Sequence, residues 1–384
     1  MEVYLDNAAT TAVLPEIAAA MADIMIRRCG NPSGIYKRSR EAAGIVLEAR
    51  TQVADLLGAS PREICFTGGG SEGDNMLLRG AAHCYRHKGR HIITTQIEHH
   101  AVLNTCKALE KEGFDVTYLP VPADGRLDPA AVEQAVRKDT ILISVMYANN
   151  ETGVLQPIRA VGDMARARGI LFHTDAVQAA GHVPIDVEAD HIDLLTLTAH
   201  KFHGPKGCGA VYIRRGTAME PLVYGGPQER GWRAGTENVP GIYGLGMAAA
   251  HARQGMDTVA GRVRSLRDRL IQRVLTEIPD TELNGSRTER LPNNANFLIR
   301  GVSGEEMVLL LDFADIAASS GSACASGSLD PSHVLLAMGR SREEAAGCLR
   351  LTLSEFTTGA EIDYTVDKLK EVVERLRAAQ RDVR

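Results

Sequence analysis

A histidine and a lysine, His200 and Lys201, close the largely apolar run Ile192-Asp193-Leu194-Leu195-Thr196-Leu197-Thr198. Just upstream, the run Gly169-Ile170-Leu171-Phe172 ends in His173-Thr174-Asp175. A buried strand that ends on two basic side chains, near another that ends on an acid, implies an anionic or electrophilic ligand between them. This arrangement suits an aldehyde cofactor with a pyridine ring. The lysine amine condenses with the aldehyde, and the acid keeps a proton on the ring nitrogen so that the ring draws in electrons. On these residues the chain reads as a pyridoxal-phosphate enzyme, with Lys201 carrying the cofactor and Asp175 facing its ring.

Two further stretches fit. Thr67-Gly68-Gly69-Gly70-Ser71-Glu72 lies between a strand pattern at 64–66 and a helical one expected from about residue 74. Glycines let backbone N–H groups approach a phosphate at a helix N-terminus, and Ser71 adds a hydroxyl, so Gly70 and Ser71 are phosphate candidates. Neither of the common nucleotide-binding glycine motifs occurs. His99 follows another strand pattern and has a side chain suited to stacking on a ring and moving protons. Each residue alone has an ordinary structural reading. The glycines suit a turn, His99 and Asp175 suit helix caps, and Lys201 suits the surface. Their joint appearance at strand ends is what favours a cofactor.

These residues need a scaffold, and the rest of the chain supplies its pattern. Apolar residues recur with helical period over 39–57, and strand patterns follow at 63–66, 91–95, 115–119, 140–147, 170–173, 193–198 and 209–213. Helical patterns separate most of the earlier strands, which predicts an α/β fold with a largely parallel sheet. Its 384 residues exceed one typical core. The texture changes near residue 256, so residues 15–255 form the expected large domain. Residues 1–14 and 256–384 form a smaller α/β domain. A net charge of -5 argues against nucleic acid as the main partner. The start shows no secretory pattern, and no apolar run is long enough for a membrane. Seven cysteines without a C-x-x-C pair suit a reducing, cytoplasmic setting rather than disulfides or zinc.

Taken together, the motifs resemble the cysteine desulfurases of the NifS/IscS type, in the class V aminotransferase group. The resemblance runs nearly end to end, through Tyr4-Leu5-Asp6-Asn7-Ala8-Ala9-Thr10-Thr11, Asn31-Pro32-Ser33, Glu98-His99, Asn149-Asn150-Glu151 and His173-Thr174-Asp175. It continues through Ala199-His200-Lys201 and Arg233-Ala234-Gly235-Thr236-Glu237-Asn238 to Ser319-Ser320-Gly321-Ser322-Ala323-Cys324. The last of these marks the long-loop desulfurases. The chain departs from the pattern in the glycine run 68–70, at Gly34 and Tyr36, and at Ser39.

The resemblance implies the fold type I architecture of pyridoxal-phosphate transferases and a homodimer. Lys201 would hold the cofactor, Asp175 the ring nitrogen and Gln178 the ring oxygen. Ser71, Thr198 and His200 would hold the phosphate, with Thr236 reaching in from a second subunit. Asn150 would lie beside ring and substrate, and Arg350 would bind the substrate carboxylate. The implied reaction turns L-cysteine into L-alanine, with sulfur passing to an acceptor such as an iron–sulfur scaffold protein. Cys324 is the expected sulfur carrier. It stands in a Ser/Gly-rich stretch with little to anchor it, within a loop expected at about 319–330. Selenocysteine lyase and class V transaminase are the nearest alternatives, although a transaminase has no use for such a cysteine. A non-catalytic scaffold is disfavoured by the retention of Lys201, Asp175 and His99 together.

Overall fold

The computed structural model describes residues 1–320 and 331–382. Its centre is a seven-stranded sheet in the order Ile64–Thr67, Gly209–Ile213, Leu194–Thr198, Leu171–Asp175, Thr140–Ser144, His91–Thr95 and Asp115–Leu119. Six strands point one way, and Gly209–Ile213 runs against both of its neighbours. Most of these strands are buried throughout, and only Asp115–Leu119 at the edge is largely open. Burial on both faces explains why the sequence reads as continuous apolar runs rather than as alternating ones.

The expected strands recur with shifted ends. The strand expected at 140–147 stops at Ser144, because the chain then turns through 145–150 at the sheet's edge of the cleft. The strand expected at 170–173 continues to Asp175, pairing with Thr196. The helix expected from about residue 74 begins at Gly70. Gly69 precedes it at φ +154°, a conformation that disfavours a side chain. Within that helix Gly73 lies so close to the sheet that a Cβ would meet Thr196 Cγ2 at 2.7 Å. The close approach brings the helix N-terminus to the strand ends.

A second layer of structure lies beyond residue 256. Cys348–Thr352, Asn294–Ile299 and Thr281–Leu283 form an antiparallel sheet, and Val3–Tyr4 pairs in parallel with Ile316–Ala317. These strands pack with the helices Gly304–Asp312 and Gly359–Asp382 around their own apolar cluster, which includes Val3, Leu5, Leu270, Phe297 and Leu351. The helix Val239–Glu277 runs through both regions without a break. Among the described residues, no helix is long and apolar enough to cross a membrane.

Candidate active site

The carboxyl ends of the parallel strands open onto one cleft, with about 690 Å³ of empty space. This is where open α/β sheets place their ligands. Five strand ends contribute to its wall. Gly70 and Ser71 follow Ile64–Thr67, His99 follows His91–Thr95, and Asn150 follows Thr140–Ser144. Asp175 ends Leu171–Asp175, with Gln178 just beyond it. Thr198 ends Leu194–Thr198, and His200 and Lys201 follow in a short 3₁₀ turn. Nine of the expected site residues thus meet in one place.

Lys201 Nζ donates to the carbonyls of Ala8 at 2.5 Å and Ala9 at 2.9 Å. The N-terminal segment is itself bound to the site, since Gln178 Nε2 donates to Ala8 O at 2.9 Å and the Thr11 amide donates to His200 O at 2.9 Å. Asp175 Oδ1 accepts the Val177 amide at 2.9 Å, and burial raises its carboxyl pKa against the opposing pull of His99 and Lys201. His99 Nδ1 accepts the Ala101 amide at 3.1 Å, capping the helix His100–Lys111. Both ordinary readings of these residues therefore hold alongside the functional one: His99 and Asp175 cap their turns and also line the cleft.

Burial lowers the pKa of His99, and it takes His200 down to about 4 with help from Lys201 and Lys206. At neutral pH both imidazoles are uncharged, so the formal positive charge at this face comes from the lysine. His200 Nδ1 lies 3.3 Å from Thr10 Oγ1, and Thr198 Oγ1 donates to Cys208 O at 3.1 Å. Around Ser71, the first-turn amides of the helix Gly70–Tyr85 have no intrahelical acceptor and are available to an anion.

The aminotransferase class-V family model matches residues 3–365. The chain belongs to the class-V aminotransferase family. A cysteine desulfurase IscS of Methanosarcina thermophila is 51% identical over 98% of this chain and 93% of its own length. A solved NifS-like protein superposes with a TM-score of 0.92 at 37% identity, covering 98% of this chain and all of its own. The solved structure described as SspA in complex with cysteine has a TM-score of 0.82 at 36% identity, over 93% of this chain and all of its own. Members of this class-V group work with pyridoxal 5'-phosphate, and the cleft fits that group. It offers a helix N-terminus and the hydroxyls of Ser71 and Thr198 for the phosphate, and an acid and an amine, Asp175 and Lys201, in the same cleft.

Three expected residues of this class-V chain lie elsewhere. Thr236 is exposed and does not line the cleft. Arg350 is buried at 1% exposure behind the cleft, where it donates to Asp6 Oδ1 at 2.8 Å and to Asn150 O at 2.9 Å. Cys324 lies outside the described residues. One wall residue was missed altogether. Asp74 is 1% exposed and lines the cleft beside Asp175 and His99. One ligand atom from each of these three lies within 4.8 Å of the others. They suit a metal poorly, because the neutral ring of His99, accepting at Nδ1, carries its proton on Nε2. The signal for Asp74 was available in the sequence: it occupies an apolar-face position shared with Leu77, Leu78 and Ala81.

Proposed function

We propose that this chain is a cysteine desulfurase that converts L-cysteine to L-alanine and passes the sulfur through Cys324 to an acceptor. The observation that carries the reading is the placement of Lys201 and Asp175 on adjacent strand ends, with His99 in the same cleft. Pyridoxal phosphate, when bound, supplies an electron sink for charge at the substrate Cα. Asp175 holds the proton of the ring nitrogen, and Gln178 binds the ring oxygen. Gly70, Ser71, Thr198 and His200 bind the phosphate. Neutral His200 does so as an N–H donor rather than as a cation.

Lys201 is the base that takes the substrate α-proton, and His99 covers the ring and moves protons at the reacting face. Asn150 and Arg350 bind the substrate, with Arg350 taking the carboxylate. The Cβ–S bond of cysteine breaks as the Cys324 thiolate bonds to that sulfur. Cβ gains a proton, alanine leaves, and Cys324 keeps a persulfide. The other cysteines support this choice. Burial pushes Cys106, Cys208 and Cys348 up to about 12 and Cys65 well up, so all four stay thiols. None of the six described cysteines lines the cleft.

A homodimer would bring Thr236 of the second subunit to the phosphate, in keeping with its exposure here. Residues 15–255 are read as the cofactor domain, with 1–14 and 256–384 as the small domain that carries Cys324. The separate apolar cluster joining Val3 and Leu5 to residues beyond 262 supports that division. A cytoplasmic setting and an iron–sulfur scaffold as acceptor complete the reading.

The test is Cys324→Ser. It should bind cofactor and change colour with L-cysteine, yet release almost no sulfide. Mass spectrometry of the wild type after brief exposure to L-cysteine should find one added sulfur on the Cys324 peptide. Added sulfur on Cys29 or Cys84 instead, or normal turnover by the serine variant, would overturn the proposal.

A further inference from the structure

Asp74 has no part in the reaction as described, yet it is buried in the wall of the cleft at 1% exposure. It lies in the second turn of the helix Gly70–Tyr85, and its Oδ1 is buried without a hydrogen-bond partner. His173 Nε2 lies 3.7 Å away, but burial lowers that imidazole to about 3, so it stays neutral, with Nδ1 2.8 Å from Ser144 Oγ. The charges that act on Asp74 come from acids, Asp175 and Glu98, and Glu98 is itself raised to about 8 by burial. His99 faces the same corner and is uncharged at neutral pH.

Two carboxylates this close and this dry do not both ionise at an acceptable cost. Asp175 has the better claim to the charge, since it accepts the Val177 amide and is drawn by Lys201. Asp74 has the Thr196 hydroxyl and one bare oxygen. The anion therefore sits on Asp175 and the proton on Asp74.

We propose that Asp74 is a second acid of the ring-nitrogen site, protonated beside Asp175 and acting through it as a positioning residue. This rests on the reading of Asp175 given above. While Asp175 is charged, neutral Asp74 leaves the ring nitrogen one negative partner. When Asp175 is replaced by a neutral residue, the Asp74 O–H bond breaks, its proton passes to the ring nitrogen as N–H, and Asp74 becomes the anion.

Two spectroscopic readouts on the holoenzyme test this. Ring-¹⁵N-labelled pyridoxal phosphate reports ring protonation by its NMR shift. Infrared spectra with ¹³C-labelled aspartate report a protonated carboxyl and separate Asp74 from Glu98. The wild type should show the protonated-aspartate band. Asp74→Asn should lose that band and keep the ring-nitrogen shift. Asp175→Asn should keep most of the ring protonated, and the double variant should lower the protonated fraction at least about tenfold. A wild type without the band, or an Asp175→Asn shift equal to that of the double variant, overturns the proposal. So does deprotonation of the ring by Asp74→Asn alone. If Asp74→Asn fails to fold, the wild-type band still decides. An unprotonated ring in the wild type would instead defeat the assignment of Asp175, while the band continues to report on Asp74.

Discussion

Arg350→Lys separates two roles for one buried cation. The Arg350 side chain is 1% exposed and its partner Asp6 20%, with Nη2 2.8 Å from Oδ1. Nη1 donates to Asn150 O at 2.9 Å, while Nε is buried without a partner. Its backbone pairs with Ser319, next to the segment that carries Cys324. Arg350 therefore already ties together the N-terminal segment, the 149–151 turn and the end of the strand Ile316–Ala317 region. A substrate carboxylate would have to use Nε or share the Nη atoms with Asp6.

The two roles predict different numbers. Breaking a buried pair by removing one partner costs about 3–5 kcal/mol, and the partial exposure of Asp6 puts Arg350→Ala near about 3 kcal/mol. Lysine keeps the charge but loses the fork, so Arg350→Lys should cost about 1–2 kcal/mol of stability. A charge-assisted bond to the substrate carboxylate is worth about 1.5–3 kcal/mol, which is about a 10- to 150-fold rise in KM for L-cysteine. Because the carboxylate is held equally before and during the reaction, kcat should change little. Alanine formation against L-cysteine concentration gives KM and kcat, and urea unfolding gives the stability loss. If Arg350→Lys loses stability but keeps its KM, the residue is a structural clip and the substrate role is wrong.

Lys201→Ala should bind cofactor without a borohydride-fixable link and lose turnover, and peptide mapping that finds the fixed cofactor on Lys206 would refute the assignment. Glu151 accepts the Ser332 hydroxyl at 2.5 Å, and burial raises it to about 7. It binds its proton more tightly folded than unfolded, so its contribution favours the fold below about pH 4.5 and is lost as the pH rises through about 7. That loss is about 3 kcal/mol. Glu151→Gln should therefore flatten the fall in unfolding free energy between pH 5 and 8, and an unchanged profile would refute the buried-acid account.

The strand ends were legible because parallel strands covered on both faces read as apolar runs, and a polar residue at such an end stands out. That picked out Asp175, His200 and Lys201 directly, and His99 by its place after a strand, whereas Thr198 came only from the family resemblance. The glycine run hid the rest of that corner. Glycines 68–70 suit either a turn or a helix start, and the helix was expected about one turn late. Asp74 consequently fell at the expected helix start and was not weighed as an acid on a buried face. Burial of Arg350 was not legible either, because its partners Asp6 and Asn150 are 344 and 200 residues away in sequence.

The change of texture near residue 256 carries a different lesson. No helix ends there: Val239–Glu277 passes through without a cap, and what changes is its partner. Up to Ala249 its buried residues join the apolar cluster of the large sheet and pack mainly on the helices Pro15–Arg27 and Lys37–Leu57, and from Val263 they join the cluster that includes Leu349 and Leu351 of the Cys348–Thr352 strand. A continuous helix shared by two cores transmits displacement between them, because each end is fixed by close packing rather than by a loop. The strand that carries Arg350 belongs to the second core, while Asn150, its hydrogen-bond partner, belongs to the wall of the cleft. Both the helix and the guanidinium thus cross the same boundary. The position of the Cys348–Thr352 strand relative to the cleft is set by these two links, one of packing and one of charge.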